Sequence, residues 1–287
     1  SSSGSAAAVA SGMVPAAFAT QTAGSIVRPA AYCGVVGYKP TFGTLSLAGI
    51  KSLSPSLDTV GVLTRSVADA AFFIGALARL PLSSLLGKDA MPTRLRVGIC
   101  RTPHWDRASP ATRTAVEHAA RLLERGGALL SDVELPAPCA GLTDAQIRIM
   151  SYEAAAAFAP EARNDADEFS RAFAAVLAAG NAIDGTTYIA AQTLATAARQ
   201  QVATVYENVD ILLAPSTEGE APAGLDATGD PIFNRMWSLL GNPCVHVPQG
   251  MGPGGMPIGV TLIGPRWGDA STLAAANLLE STFASLN

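Results

Sequence analysis

The spacing of hydrophobic and polar positions along the chain predicts both helices and strands. Ser66 and Asp69 have the spacing of a capping box and open an apolar helix that runs to about Leu80. A Ser-Pro cap at 109–110 opens another helix, which lies between apolar strands at 95–100 and 129–135. A strand, a helix and a strand in this order predict a β-α-β unit and parallel pairing.

The rest of the pattern completes an α/β fold. Residues 1–65 predict small-residue turns between one short helix and buried strands, and residues 143–208 predict an Ala-rich helical block interrupted at Pro160 and Gly180. An apolar strand at 210–214 precedes a Gly/Pro/acid loop at 216–231, for which a site rim and a plain surface loop both remain open. The chain then ends as helix, strand, strand and helix, which together predict one α/β domain.

Composition excludes several classes of protein. The chain has 287 residues, 19 basic and 23 acidic groups, a net charge of -4 and 49% hydrophobic residues. That hydrophobic content argues against disorder, and the missing basic excess argues against a nucleic-acid partner. Mean hydropathy is +0.28, but no apolar run reaches the roughly 18 residues of a spanning helix, so we expect no membrane segment.

Familiar motifs for metals and nucleotides are missing or broken. The four cysteines and three histidines are scattered, which predicts no metal site and no redox pair. Residues 250–255 match Gly-x-Gly-x-x-Gly, yet Pro253 breaks the run and a strand follows instead of a helix. We interpret this stretch as a hairpin turn.

The candidate chemistry lies in the first thirty residues. The chain opens Ser1-Ser-Ser-Gly-Ser and continues with Gln-Thr-Ala-Gly-Ser at 21–25, followed by Arg28. A serine after a small-residue turn can expose its hydroxyl among backbone N–H groups, which are the donors that an oxyanion needs. Arg28 can pair with a substrate carboxylate or with an internal one. A Ser/Gly-rich loop packed under a sheet is the alternative that composition alone favours.

These segments resemble the amidase signature family, and the Gln-Thr-x-Gly-Ser form with arginine three residues after the serine is most similar to its malonamidase-like branch. The resemblance implies an α/β/α sandwich around a large mixed twisted sheet. It also implies that residues 1–287 are the C-terminal portion of a single domain whose N-terminal part is missing. Further matching segments lie at 29–34, 37–41, 56–61, 210–215, 241–243, 247–248 and 257–264.

The resemblance also implies roles for individual residues. Ser25 corresponds to the nucleophile and Ser1 to a bridging serine that relays a proton. Arg28 is the candidate substrate-binding residue because of its charge, and an internal carboxylate remains the other possible partner. Thr22, Ala23, Gly24 and Ser25 correspond to the turn that forms the oxyanion hole. Ala23 stands where the family usually has glycine, so we expect a shifted or tighter hole.

The catalytic lysine of the family lies upstream of the serine-rich stretch and is absent from this chain. Lys39, Lys51 and Lys88 match no catalytic position. We therefore expect these 287 residues to be inactive on their own.

The function that the resemblance implies is hydrolysis of a small amide, including one that bears a carboxylate, through a Ser-Ser-Lys triad and a seryl acyl-enzyme. It implies no metal and no cofactor, a cytoplasmic protein and a small-molecule partner, and it leaves a homodimer open. Two alternatives stay open: a glutaminase-type subunit of an amidotransferase complex, and a catalytically inactive amidase-like scaffold.

Overall fold

The computed structural model describes residues 2–86 and 94–285 of the chain. The strands are, in chain order, β1 (Ala16–Gln21), β2 (Val36–Lys39), β3 (Thr59–Thr64), β4 (Arg96–Cys100), β5 (Leu129–Val133), β6 (Ile211–Pro215), β7 (Cys244–Met251) and β8 (Pro257–Ile263). The helices are α1 (Ser3–Ala10), α2 (Val27–Cys33), α3 (Val67–Ala78), α4 (Pro110–Arg125), α5 (Leu142–Ala157), α6 (Ala159–Asn164), α7 (Arg171–Asn181), α8 (Gly185–Val205), α9 (Arg235–Leu240) and α10 (Asp269–Ala284).

The strands form one mixed sheet. Its order is β1-β3-β2-β7-β8-β6-β4-β5, with β1 and β5 at the two edges. Strand β4 pairs in parallel with both β5 and β6, whereas β7 and β8 pair antiparallel with each other and with their outer neighbours. Helix α4 connects β4 to β5, so the predicted β-α-β unit is confirmed.

Helices cover both faces of this sheet. Successive residues of a strand point to opposite faces, and the central strands are apolar on both sides. Val245 of β7 and Leu262 of β8 pack with α3, α4 and α10 in one buried cluster. Cys244 and Ile263, the next residues along the same strands, pack with α5, α8 and α9 in another. The predicted α/β fold with helices around a large mixed sheet is confirmed.

Two helix starts follow the predicted capping chemistry. The Ser66 hydroxyl accepts a hydrogen bond from the Asp69 backbone N–H at 3.1 Å, and helix α3 begins at the next residue. The Ser109 hydroxyl accepts one from the Thr112 N–H at 3.1 Å, with Pro110 in the first turn of α4. Each cap satisfies an N–H group that has no partner inside the helix.

Both expected interruptions in the helical block are confirmed. Helix α5 ends at Ala157, and α6 starts with Pro160 in its first turn. Helix α7 ends at Asn181, one residue after Gly180, and α8 begins at Gly185. A β-carbon at Gly180 would come 1.9 Å from the Ser151 carbonyl oxygen of α5. The glycine therefore lies at the end of α7 and also allows close packing of α5 against α7.

Residues 250–255 belong to the β7–β8 hairpin, as predicted for a turn and not for a nucleotide loop. Across the described ranges, no helix combines the length and the apolar character that crossing a bilayer requires. Helix α2, which directly follows Ser25, was not predicted.

Candidate active site

Ser25 lies in the turn between the edge strand β1 and the short helix α2. Its side chain is half-buried, while most residues around it in the chain are buried. It lines a cavity of about 160 Å³. The other lining residues are Ser2, Thr20, Thr22, Ile50, Lys51, Leu53 and Asp58. The structure thus brings Thr22 and Ser25 together at one accessible space.

The side chain of Gln21, the last residue of β1, forms hydrogen bonds across the buried side of this turn. Its side chain is fully buried, and its Oε1 accepts hydrogen bonds from the N–H groups of Ile26 at 2.9 Å and Val27 at 3.0 Å. Its Nε2 donates to the Ser238 hydroxyl at 3.0 Å. A carboxylate could not supply that donor, so the amide of Gln21 fits this position.

Three backbone N–H groups of the turn remain open. Within residues 2–86 and 94–285, the N–H groups of Ala23, Gly24 and Ser25 donate to no acceptor, whereas the next two N–H groups are bound by Gln21. The Arg28 N–H then donates to the Gly24 carbonyl at 2.9 Å. Unpaired donors beside a serine hydroxyl are suited to stabilising an oxyanion.

Asp58 fixes the Thr22 side of the turn, a role that the sequence did not reveal. The Thr22 hydroxyl donates to Asp58 Oδ1 at 2.5 Å. The other carboxylate oxygen accepts from the Ser52 hydroxyl and from the N–H groups of Leu53 and Ser54. Asp58 therefore connects the turn to the loop that forms one wall of the cavity.

Ala23 fits the turn without backbone strain. Among non-glycine residues of the described ranges, positive φ occurs at Arg79, Thr102 and Trp267, and so not at Ala23. Its methyl group therefore carries no left-handed penalty, and the expectation of a shifted hole loses its physical basis.

Arg28 lies away from the 160 Å³ cavity and contacts the loop at 216–231. Its guanidinium donates to the Gly229 carbonyl at 2.8 Å and to the Thr228 hydroxyl at 3.1 Å. The side chain is buried, which lowers its pKa, and its Nε has no hydrogen-bond partner in the part of the chain that the structure describes. No described carboxylate forms an ion pair with it, although Asp230, which pairs with Arg235, lies near enough to offset part of the lowering of its pKa.

The remaining candidates divide as follows. Ser1 and Lys88 lie outside the described residues. Lys39 is fully buried in β2, its Nζ donates to the Pro40 carbonyl at 2.9 Å, and burial lowers its pKa. Lys51 lines the cavity, but its Nζ binds Glu161 Oε1 at 2.6 Å. Neither described lysine donates to Ser25.

Comparison with known proteins identifies the family. The family model for amidases matches residues 1–273. The chain belongs to the amidase family. This confirms the resemblance to the amidase signature family, while the malonamidase-like branch stays a prediction.

Individual amidase-family relatives match almost the whole chain. A glutamyl-tRNA(Gln) amidotransferase subunit from Thermosynechococcus vestitus is 30% identical to this chain, and the corresponding subunit from Shouchella clausii is 32% identical to it. Each alignment covers 98% of this chain. A solved structure of an amidase is 32% identical and superposes with a TM-score of 0.88 over 97% of this chain. The chain spans 67%, 66% and 65% of these three relatives, which is about two thirds of their length.

Proposed function

We propose that the protein hydrolyses the carbon–nitrogen bond of a small amide, with Ser25 as the nucleophile. The observation that carries this proposal is a set of three N–H groups, of Ala23, Gly24 and Ser25, that have no acceptor among the described residues and lie beside a half-buried hydroxyl that lines a cavity. Ser25 Oγ attacks the amide carbonyl, and the three N–H groups bind the oxyanion. The amine leaves, and water hydrolyses the acyl-enzyme.

A serine hydroxyl needs a base to accept its proton. We propose that this base is a lysine other than Lys39 and Lys51, with Ser1 relaying the proton, because both of those lysines are held elsewhere. Lys39 donates to the Pro40 carbonyl and Lys51 is paired with Glu161. A lysine can serve as base where burial or a neighbouring cation lowers its pKa towards neutrality.

The proposed substrate carries a carboxylate that binds Arg28. Two neutral groups of the loop hold the guanidinium, and its buried Nε is left without a partner among the described residues. Because Nε is buried and Arg28 lies outside the 160 Å³ cavity, this contact requires the loop at 228–229 to move aside, after which the planar guanidinium can receive one oxygen of a carboxylate.

Covalent labelling tests the nucleophile. A fluorophosphonate probe should modify the natural full-length protein at Ser25, and Ser25→Ala should abolish labelling, as read by intact-protein and peptide mass spectrometry. Ser54→Ala, which removes a buried hydroxyl held by Glu153, is the matched control and should leave labelling in place. Undiminished labelling of Ser25→Ala contradicts the assignment, and an unlabelled wild type favours an inactive scaffold.

Substrate comparison tests Arg28. Arg28→Met keeps much of the apolar stem and removes the charge, so kcat/KM should fall about 100-fold for acidic amides, as expected for a lost charge-assisted contact of about 3 kcal/mol. Neutral amides of similar size should lose less than about three-fold. Equal losses for both substrate classes would argue against a carboxylate pocket.

A second candidate function is that of a glutaminase-type subunit. Its support is that the two amidotransferase relatives match 98% of this chain at 30% and 32% identity. Co-purification of the natural protein with partner subunits, together with glutamine-dependent ammonia release, would favour this function over a stand-alone amidase.

A further inference from the structure

Two distant side chains hold the carbonyl groups of the candidate oxyanion turn. Gln146 Nε2, from α5, donates to the Thr22 carbonyl at 3.1 Å. The Ser238 hydroxyl, from α9, donates to the Ala23 carbonyl at 2.7 Å. Both side chains are buried, as is that of Gln21, which holds the turn from inside.

These two carbonyls belong to the same peptide units as two of the open N–H groups. The Thr22 carbonyl shares its peptide plane with the Ala23 N–H, and the Ala23 carbonyl shares its plane with the Gly24 N–H. A trans peptide is rigid and points the two groups in opposite directions. No cis peptide occurs in the described ranges, so fixing each carbonyl fixes the direction of one open N–H.

We propose that Gln146 and Ser238 are positioning residues that aim the Ala23 and Gly24 N–H groups at the oxyanion. This inference rests on the proposed amidase function of the turn. Pre-oriented donors stabilise developing charge because they need not reorganise during the reaction. Both residues act through the backbone and neither has to touch the substrate.

Neighbouring donors set the orientation of both side chains. Arg235 Nη1 donates to Gln146 Oε1 at 2.7 Å. Because arginine has no acceptor, the amide oxygen must face it, which turns Nε2 towards Thr22. In the same way, Gln21 Nε2 donates to the Ser238 oxygen at 3.0 Å and leaves the hydroxyl proton for the Ala23 carbonyl. Each positioning bond thus has its proton assigned by a second contact.

If Gln146 and Ser238 had a purely structural role, they would hold α5 and α9 against the sheet and would not affect the direction of the Ala23 and Gly24 N–H groups. Gln146→Glu separates the two roles, since a carboxylate keeps the contact with Arg235 but has no proton for the Thr22 carbonyl. Ser238→Ala removes the other hydroxyl. Gln192→Met on α8 and Ser271→Ala on α10 are matched controls, because they remove side-chain hydrogen bonds that do not reach the turn.

The experiment measures kcat, KM and the rate of Ser25 labelling by a fluorophosphonate in the natural full-length protein. We expect Gln146→Glu and Ser238→Ala each to lower kcat about 10- to 100-fold with KM changed less than about two-fold, below the roughly 10²–10³-fold loss of an entire oxyanion donor. Labelling should slow by a similar factor, and both controls should stay near wild type.

The outcomes separate the two proposals. If wild-type Ser25 reacts and both variants keep wild-type kcat, the positioning role is overturned and the amidase proposal stands. A kcat loss matched by both controls, or a change in KM alone, also overturns it. If wild-type Ser25 does not react at all, the proposed function fails, and the inference fails with it.

Discussion

Gly24 and Ala23 are neighbours in the turn but meet opposite surroundings. A β-carbon on Gly24 would lie 2.6 Å from Cβ of Pro231 and 3.1 Å from Cβ of Asn234. Ala23 already carries a β-carbon and adopts no left-handed conformation. The turn therefore has room for a methyl group at one position and none at the next.

Paired substitutions should show this difference. Gly24→Ala must displace the turn, and a shift of about 1 Å near reacting groups costs on the order of 100-fold in rate. Ala23→Gly should retain kcat within about three-fold and lower the unfolding free energy by about 0.5–1 kcal/mol, because glycine has more freedom in the unfolded chain. Amide hydrolysis and urea unfolding measure the two effects. Comparable activity of both variants would contradict this account.

The sequence allowed some residues of the site to be predicted and hid others. Thr22 and Ser25 lie within one contiguous motif, so local pattern and family resemblance were sufficient to select two residues that line one cavity. Gln146 and Ser238 lie in ordinary helical stretches, and their contacts with the turn span 124 and 215 positions along the chain. Only the packing of α5 and α9 against the sheet brings them there.

At the scale of elements, a cluster of three buried polar side chains connects three neighbouring strands. His246 of β7 lies beside Ser216, directly after β6, and Thr261 of β8. The Ser216 hydroxyl is 2.7 Å from His246 Nδ1 and 2.6 Å from the Thr261 hydroxyl. All three side chains are buried, and Asn234 Nδ2 donates to the Ser216 carbonyl at 2.9 Å.

Stability should depend on pH through this histidine. Burial lowers the pKa of His246 to about 3, although the Val260 backbone offsets part of the effect. Below the ordinary pKa of 6.5, His246 takes up a proton in the unfolded chain but stays neutral in the folded chain. The unfolding free energy therefore falls as pH decreases towards 3. The slope contributed by this group is at most about 1.4 kcal/mol per pH unit.

His246→Gln should therefore flatten the urea-unfolding free energy between about pH 6.5 and about pH 4. The same measurement at about pH 8, where histidine is neutral in both states, gives the packing loss alone and serves as the control. A variant whose pH profile runs parallel to that of wild type would contradict this assignment.

Local signals located most elements, and tertiary contacts decided the exceptions. The caps at Ser66 and Ser109 were visible because their chemistry lies within four residues. Gly180 correctly indicated the end of α7, but its close approach to the Ser151 backbone of another helix was not visible in the sequence. Helix α2 was missed because it has seven residues and buries most of them, including Arg28, which gives no amphipathic pattern.

At the scale of the whole molecule, one edge of the sheet carries exposed apolar side chains. Strand β1 is the terminal strand at that edge. Phe18 of β1, which is 55% exposed, lines a cavity of about 610 Å³ together with Ile50 and Leu77. The Ser2 hydroxyl covers the backbone of Thr20 on this edge, and the apolar surface beside the rest of the strand favours contact with another chain.

We expect this 287-residue chain to self-associate through that edge. Phe18→Lys should lower the associated fraction, because a charged lysine disfavours both strand pairing and apolar contact. Ile189→Lys on α8 adds the same charge at an exposed position away from the edge and is the control. Sedimentation velocity across a concentration series measures the effect. Equal suppression by the two variants would contradict an edge-specific contact.

The contact of Gly24 with Pro231 has a consequence for protein engineering. The loop at 216–231 is an obvious segment to randomise when a new substrate range is sought, and Leu225 near its middle is fully exposed. Its final residues, however, accept hydrogen bonds from Arg28, and Pro231 packs closely against Gly24 in the turn that contains Ser25. A library that varies residues 221–226 and keeps 228–231 fixed would sample new loop shapes while leaving Ser25, the proposed nucleophile, in place.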